Sequence, residues 1–192
     1  MSHQRTNPKR FNGGEPVYRV ERHHDQFEVR VYEPYLVAEV IVPGPAEAAS
    51  RTGFQLLAGY IFGGNHSAKR LPMTAPVTQT PVSLPMRVRV TQSAADDGYR
   101  VQFVMPPNYT LATLPVPNDA RVTLRQIPAQ RLAVRRYSGR WTNENYAQHL
   151  GKLRDALQAA GLAAHGTPIL SRYNAPYVLP FLRRNEIWLP IE

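Results

Sequence analysis

Residues 27–32, FEVRVY, alternate apolar Phe27, Val29 and Val31 with Glu28, Arg30 and Tyr32. That is the period of a strand with one buried face. Pro34 ends it, since proline cannot donate to a ladder, and YLVAEVIV follows as a second strand that stops at the PGP of 43–45. The period then changes. Ala46, Ala49, Gly53, Leu57 and Tyr60 recur at three- and four-residue intervals and predict an amphipathic helix over AEAASRTGFQLLAGYIF. The GGN at 63–65 offers glycine for a left-handed cap. The segment KRLPMTAPV, 69–77, holds two prolines and cannot be helical. It reads as a stiff, apolar, extended segment with cations at its mouth, running on as a strand through PVTQT. MRVRVTQ and YRVQFVMP, separated by SAADDG, read as a hairpin.

The pattern then returns. PPNYTLATLPVPND is a proline-rich connector without a packing period, and ARVTLRQIP and RLAVRRYSG are two strands joined at a proline. Tyr146, Leu150, Leu153, Leu157 and Ala160 form the stripe of a second helix. Thr142 is its expected N-cap and Gly161 its C′ residue. The last 26 residues hold one or two strands interrupted by Pro176, Pro180 and an RRN turn. Residues 27–80 and 121–191 thus run through the same series of strand, proline, strand, helix and strand. Pro34 and Pro128, 94 positions apart, sit at equivalent places. This predicts an internal duplication. Two such units burying their helices against a shared, curved antiparallel sheet make one α+β domain, expected over residues 17–192. Residues 1–16 read as a flexible polar arm.

Composition narrows the chemistry. The 192 residues include no cysteine, which excludes disulfides, thiolate catalysis and cysteine-ligated metals. There is no apolar leader at the N-terminus and no run of about 18 apolar residues, so the expectation is a cytoplasmic chain without a membrane span, with a monomer favoured. The formal charge is +9, from 23 Lys plus Arg against 14 Asp plus Glu. Such a balance suits anionic partners. The cations are scattered along strands as solvated faces, however, and form no basic block of a nucleic-acid module.

Four stretches then resemble the SOUL haem-binding protein family: FEVRVYEPYLVAEV, GYIFGGN with LPMTAPV, VQFVMP, and YNAPYVLPFLRRNEIWL, in the family's order over residues 27–191. MTAPV and RRNEIWL are the specific ones. The resemblance implies a distorted antiparallel β-barrel flanked by two helices and built from a pseudo-twofold repeat. It also implies non-enzymatic binding of haem or another tetrapyrrole, for carriage, buffering or sensing, in an apolar surface groove beside the first helix. A porphyrin is a flat apolar plate with two carboxylates on one edge, so its site needs apolar walls and a few cations at the rim. The candidates are Arg51, Lys69 and Arg70 for the carboxylates, and Leu56, Leu57, Tyr60, Ile61, Leu71 and Met73 for the walls; those walls equally suit a core.

Some members of that family carry a histidine, proposed as an axial ligand, where this chain has Val31. Binding without a protein axial ligand is therefore expected. His66 and His149 are the weaker axial candidates. His23 and His24 lack a partner at metal spacing, and Met73 and Met105 suit core filling. Arg183, Arg184, Asn185 and Glu186 suggest a structural turn with ion pairs. Two rival readings remain. One is a small-molecule sensor module, similar to gyrase-inhibitor-like proteins, with a non-tetrapyrrole ligand. The other is a hydrolase using Glu186 with Tyr173 or Tyr177, as some relatives of the broader fold do.

Overall fold

The structure is a computed structural model that describes residues 14–83 and 97–192. Most of the expected polar arm, the strand expected over MRVRVTQ and most of its turn lie outside those residues. The elements in chain order are β1 (Tyr18–His23), β2 (Glu28–Tyr32), β3 (Tyr35–Pro43), α1 (Ala46–Ile61), β4 (Val77–Ser83), β5 (Asp97–Val104), β6 (Thr123–Ile127), β7 (Gln130–Tyr137), α2 (Asn143–Ala159), β8 (Ile169–Arg172) and β9 (Asn185–Pro190). The strands form one antiparallel sheet ordered β1-β2-β7-β9-β8-β4-β5-β3-β6.

That order carries the duplication. Leaving β1 aside, it is a palindrome in which β2, β3, β4 and β5 correspond to β6, β7, β8 and β9, with the pseudo-twofold between β4 and β8. Each unit also hands its first strand to the other: β2 pairs with β7, and β6 pairs with β3. Pro34 and Pro128 lie where the chain crosses over. The sequence pattern did not assign β1, although Tyr18 and Val20 alternate with Arg19 and Glu21 as a half-buried strand should. Glu15, expected within the polar arm, instead pairs with Arg184 at 2.9 Å.

Those crossings force the sheet to curl. β2 and β3 stand second and eighth in the order, roughly 29 Å apart in a flat sheet. Only Glu33 and Pro34 separate them in the chain, and three residue steps reach about 11 Å. The curl closes on the face that carries Tyr35, whose hydroxyl accepts a hydrogen bond from Gln130 Nε2 at 3.1 Å. Both helices pack on the other, outer face. Register puts Ala38, Phe103, Val77, Arg172, Asn185 and Tyr137 in one row across that outer face.

The helices form where the stripes predict. α1 buries Ala49, Gly53, Leu57, Tyr60 and Ile61 against Val40, Val42, Val101 and Phe103. α2 buries Leu153 and Leu157 against Val29, Ala133, Ile187 and Leu189. Thr142 caps α2 by accepting from the Asn145 N–H, and Gly161 takes φ 67° just past its end. The strand expected to start within the proline segment begins only at Val77; residues 71–76 are irregular, tied down by the Leu71 N–H to Ile61 O at 2.8 Å.

Two helical glycines predict effects of opposite sign. A Cβ on Gly53 would lie 2.6 Å from Val101 Cγ2, whereas one on Gly59 meets nothing within 4 Å. Gly53→Ala should cost about 1–3 kcal/mol by overpacking the helix–sheet contact. Gly59→Ala should gain about 0.5–1 kcal/mol. Urea unfolding of the two variants checks both signs.

Candidate functional site

The helical stripe of α1 faces the sheet, so Leu57, Tyr60 and Ile61 belong to its core. Leu71 joins them and Leu56 packs partly buried against them. What α1 leaves for a ligand is its other side, with Arg51 and Phe54. Phe54 meets Phe103 edge-on at 5.3 Å between centroids. Among the described residues Arg51 is held only by an exposed contact with Glu47 at 3.7 Å. Lys69 and Arg70 come after the far end of α1, and Lys69 Nζ lies 4.9 Å from the centre of the Tyr109 ring. Ten residues separate Arg51 from Ile61, about 15 Å of helix. The expected rim of three cations is therefore divided between the two ends of α1, with exposed Met73 near Lys69 and Arg70.

A second apolar surface was not singled out from sequence. Tyr177, Leu179, Phe181 and Leu182 are 89%, 55%, 70% and 64% exposed, in the segment between β8 and β9 that includes a single 3-10 turn, Pro180–Leu182. Its placement is fixed from behind. Arg183 donates to the carbonyls of Val178 and Pro176 at 2.8 and 2.7 Å, and its guanidinium covers the Trp141 ring at 4.4 Å. Arg172 covers the same ring at 5.0 Å. Trp141 Nε1 donates to Asn185 Oδ1 at 2.8 Å. Arg172 Nη1 also donates to Ser50 Oγ at 2.9 Å, which ties the root of this segment to α1. Ser50 and Phe54 are one helical turn apart and share that face. Four large apolar side chains within six residues were visible in the sequence as a run without a period, which does not say which face they take.

Two of the histidines, His149 and His24, stack on aromatic rings. His149 stacks on Tyr137 at 4.4 Å and its Nδ1 accepts from Arg135 Nε at 3.2 Å; burial, then Arg135 and Lys152, push its pKa below the usual 6.5. His66 is exposed in the loop after α1. His23 contacts Glu28 at 3.2 Å, and His24 stacks on Phe27. Met105 is core. Among the described residues no three His, Asp or Glu side chains gather as a metal-ion set.

The family pattern described as "SOUL heme-binding protein" matches residues 14–190. The chain belongs to this family. Heme-binding protein 2 of Mus musculus is 27% identical over 167 residues, which cover 85% of this chain and 77% of that protein. Two solved structures share the fold: an uncharacterized conserved protein from Listeria innocua (12% identity, TM-score 0.64, 87% of this chain and 92% of that one), and a protein described as a hydrolase from the same organism (10% identity, TM-score 0.59, 90% and 94%).

The SOUL end motif RRNEIWL does structural work here. Glu186 is fully buried. Its carboxylate accepts from Arg30 Nη1 at 3.1 and 3.2 Å, Arg184 Nε at 3.0 Å, Tyr173 OH at 2.9 Å and Trp188 Nε1 at 2.8 Å. With those donors in place it has no free lone pair for a substrate proton, and Tyr177, on the exposed segment, is not among its partners. The position at which some SOUL proteins carry histidine, Val31, lies on β2 beside Arg19 and Arg131 and offers a metal no side-chain donor.

The Glu186 network makes a pH prediction. Burial alone would raise its pKa, but Arg30 and Arg184, with the Trp188 and Tyr173 hydrogen bonds, outweigh burial and hold it below the usual 4.5. A depressed folded value means stability that is complete above pH about 4.5 and lost as pH falls through the folded pKa. Glu186→Gln removes the charge that the two arginines share, leaving Arg30 with Glu28 and Arg184 with Glu15, and should cost about 3 kcal/mol at neutral pH. It should also flatten the acid limb of the stability profile. Urea midpoints measured from pH 7 to pH 3 check both.

Proposed function

We propose that this protein binds a tetrapyrrole, haem or its iron-free porphyrin, without catalysis, and so carries, buffers or senses it. The match to the SOUL heme-binding family over residues 14–190 carries this reading. The ring lies on the apolar surface shared by the outer side of α1, at Phe54, and the segment Tyr177–Leu182. Arg51 is the nearest of the expected cations and serves a propionate, being held by nothing stronger than an exposed pair. The surface fits the apolar faces of the macrocycle. Neither axial candidate serves the iron there: His66 lies beyond the other end of α1, and His149 is committed to Arg135 and Tyr137 beneath α2. Burial of the ring faces, at about 25 cal/mol per Å² less the cost of association, supplies most of the affinity. The alternative, a small-molecule sensor module with a non-tetrapyrrole ligand, leaves this surface unused.

Hemin titration tests the reading through a Soret shift and quenching of Trp141, which underlies the segment. Phe181→Ser with Leu182→Ser, both exposed and therefore tolerated by the fold, should weaken hemin about tenfold or more, each tenfold being about 1.4 kcal/mol. Arg51→Ala should weaken hemin several-fold and leave the porphyrin dimethyl ester unaffected. Protoporphyrin should bind within about tenfold of hemin, and His66→Ala and His149→Ala should leave the Soret position unchanged. Full hemin affinity in the double serine variant sinks the assignment, and a low-spin spectrum lost in either histidine variant names an axial ligand.

A further inference from the structure

The helices leave the inner face of the curled sheet uncovered, and its central row is polar. Register aligns Glu39, Gln102, Thr78, Ser171, Glu186 and Arg136 across six strands, and the first five are buried. Burying that many polar groups is costly unless each finds a partner. Two clefts open beside the row. In one, of about 500 Å³, the central carboxylate is Glu186, whose acceptors are filled.

The other cleft, of about 600 Å³, is bounded by Tyr35, Ile127, Ile169 and Val82, with Arg100 and Gln102 at its polar side. Its charges do not balance. Glu39, the buried carboxylate behind it, accepts from Gln102 Nε2 at 2.8 Å and Arg125 Nη1 at 3.1 Å. Arg100 Nε lies 3.6 Å from Glu39, outside hydrogen-bond reach. That Nε is buried and has no acceptor among the described residues. One carboxylate thus faces two guanidiniums, and a buried N–H donor is left over. A donor buried without a partner costs on the order of 1–3 kcal/mol; the side chain that carries it is one-third exposed, so an acceptor in the cleft meets the outer end of the same guanidinium. The volume lies in the range of small-molecule pockets, which pair apolar walls with a few placed polar groups.

We propose that this inner cleft is a second ligand site, on the opposite face of the sheet from the tetrapyrrole surface, which takes a small amphipathic carboxylate. The carboxylate lies against the exposed end of the Arg100 guanidinium and balances the charge that Glu39, shared with Arg125, leaves over. The apolar body lies between Ile127 and Ile169 beneath Tyr35. A cation of the same shape is disfavoured by the surplus guanidinium, and a neutral analogue gains no charge-assisted bond.

The test uses the full chain with 4-phenylbutyrate, 4-phenylbutanol and (4-phenylbutyl)trimethylammonium, followed by calorimetry and by amide chemical shifts. The carboxylate should saturate and bind about tenfold or more tighter than the alcohol, the yield expected of one charge-assisted bond. It should shift amides at Gln102, Ile127 and Ile169 and leave Phe181 and Leu182 unmoved. Arg100→Gln should reduce the carboxylate to the level of the alcohol while hemin affinity stays unchanged; Arg100→Lys should keep part of the preference. If Arg100→Gln fails to fold, Ile169→Trp fills the cleft from its wall and should abolish binding of the carboxylate. Equal binding of alcohol or cation, shifts confined to residues 177–182, or no saturation by the carboxylate overturns the proposal. Loss of hemin binding alone would count against the tetrapyrrole surface and leave this site standing.

Discussion

Two linkers of two residues set the shape of this molecule. Glu33 with Pro34, and Pro128 with Ala129, join strands that stand six places apart in the sheet. Spacings of about 4.8 Å between strands add up far beyond what such linkers span, so the sheet has to roll until its ends meet. Proline suits the crossing because it fixes φ and donates no ladder hydrogen bond. Everything functional follows from the roll: an outer face on which two helices pack, and an inner face that neither α1 nor α2 covers.

The two faces solve the burial of polar groups differently. Outside, the helices exclude water with apolar stripes, and the Tyr177–Leu182 segment, held by Arg183 and by the stacked Trp141, stays exposed beside them. Inside, the same register that aligns apolar side chains outward aligns a polar row inward. The unit containing β9 satisfies its buried carboxylate with two arginines, a tyrosine and a tryptophan. The unit containing β3 satisfies Glu39 with Gln102 and Arg125 and leaves Arg100 Nε without an acceptor. The duplication is faithful in backbone and unfaithful in charge, and that asymmetry distinguishes the two clefts.

Much of this fold was legible in the sequence. Both helical stripes, the Thr142 cap, the prolines at the crossings and the repeated order of elements are local signals, and local signals are what a sequence displays. The order of the strands is not local: nothing near Glu28 announces that its partner is Val134. The same limit applied to the site. A stripe at three- and four-residue spacing says that Leu57, Tyr60 and Ile61 are buried but not whether a sheet or a ligand covers them, and the sheet does. The Glu186 cage joins residues up to 156 positions apart, so the sequence motif RRNEIWL suggested ion pairs without naming Arg30 as the partner. The exposed run at Tyr177–Leu182 and the orphaned donor of Arg100 needed coordinates.

The exchange of first strands also governs when the chain can become a protein at all. During synthesis β2 emerges early, with Val29 and Tyr32 ready for burial, yet its partner β7 ends only at Tyr137. For some hundred residues of translation that strand has an unsatisfied edge and exposed apolar side chains, the condition under which chains associate wrongly or recruit chaperones. The N-terminal unit cannot fold ahead of the C-terminal one, because each holds a piece of the other. A gene cut between the two units would yield two fragments that are each incomplete, and they would have to find each other to recover the sheet.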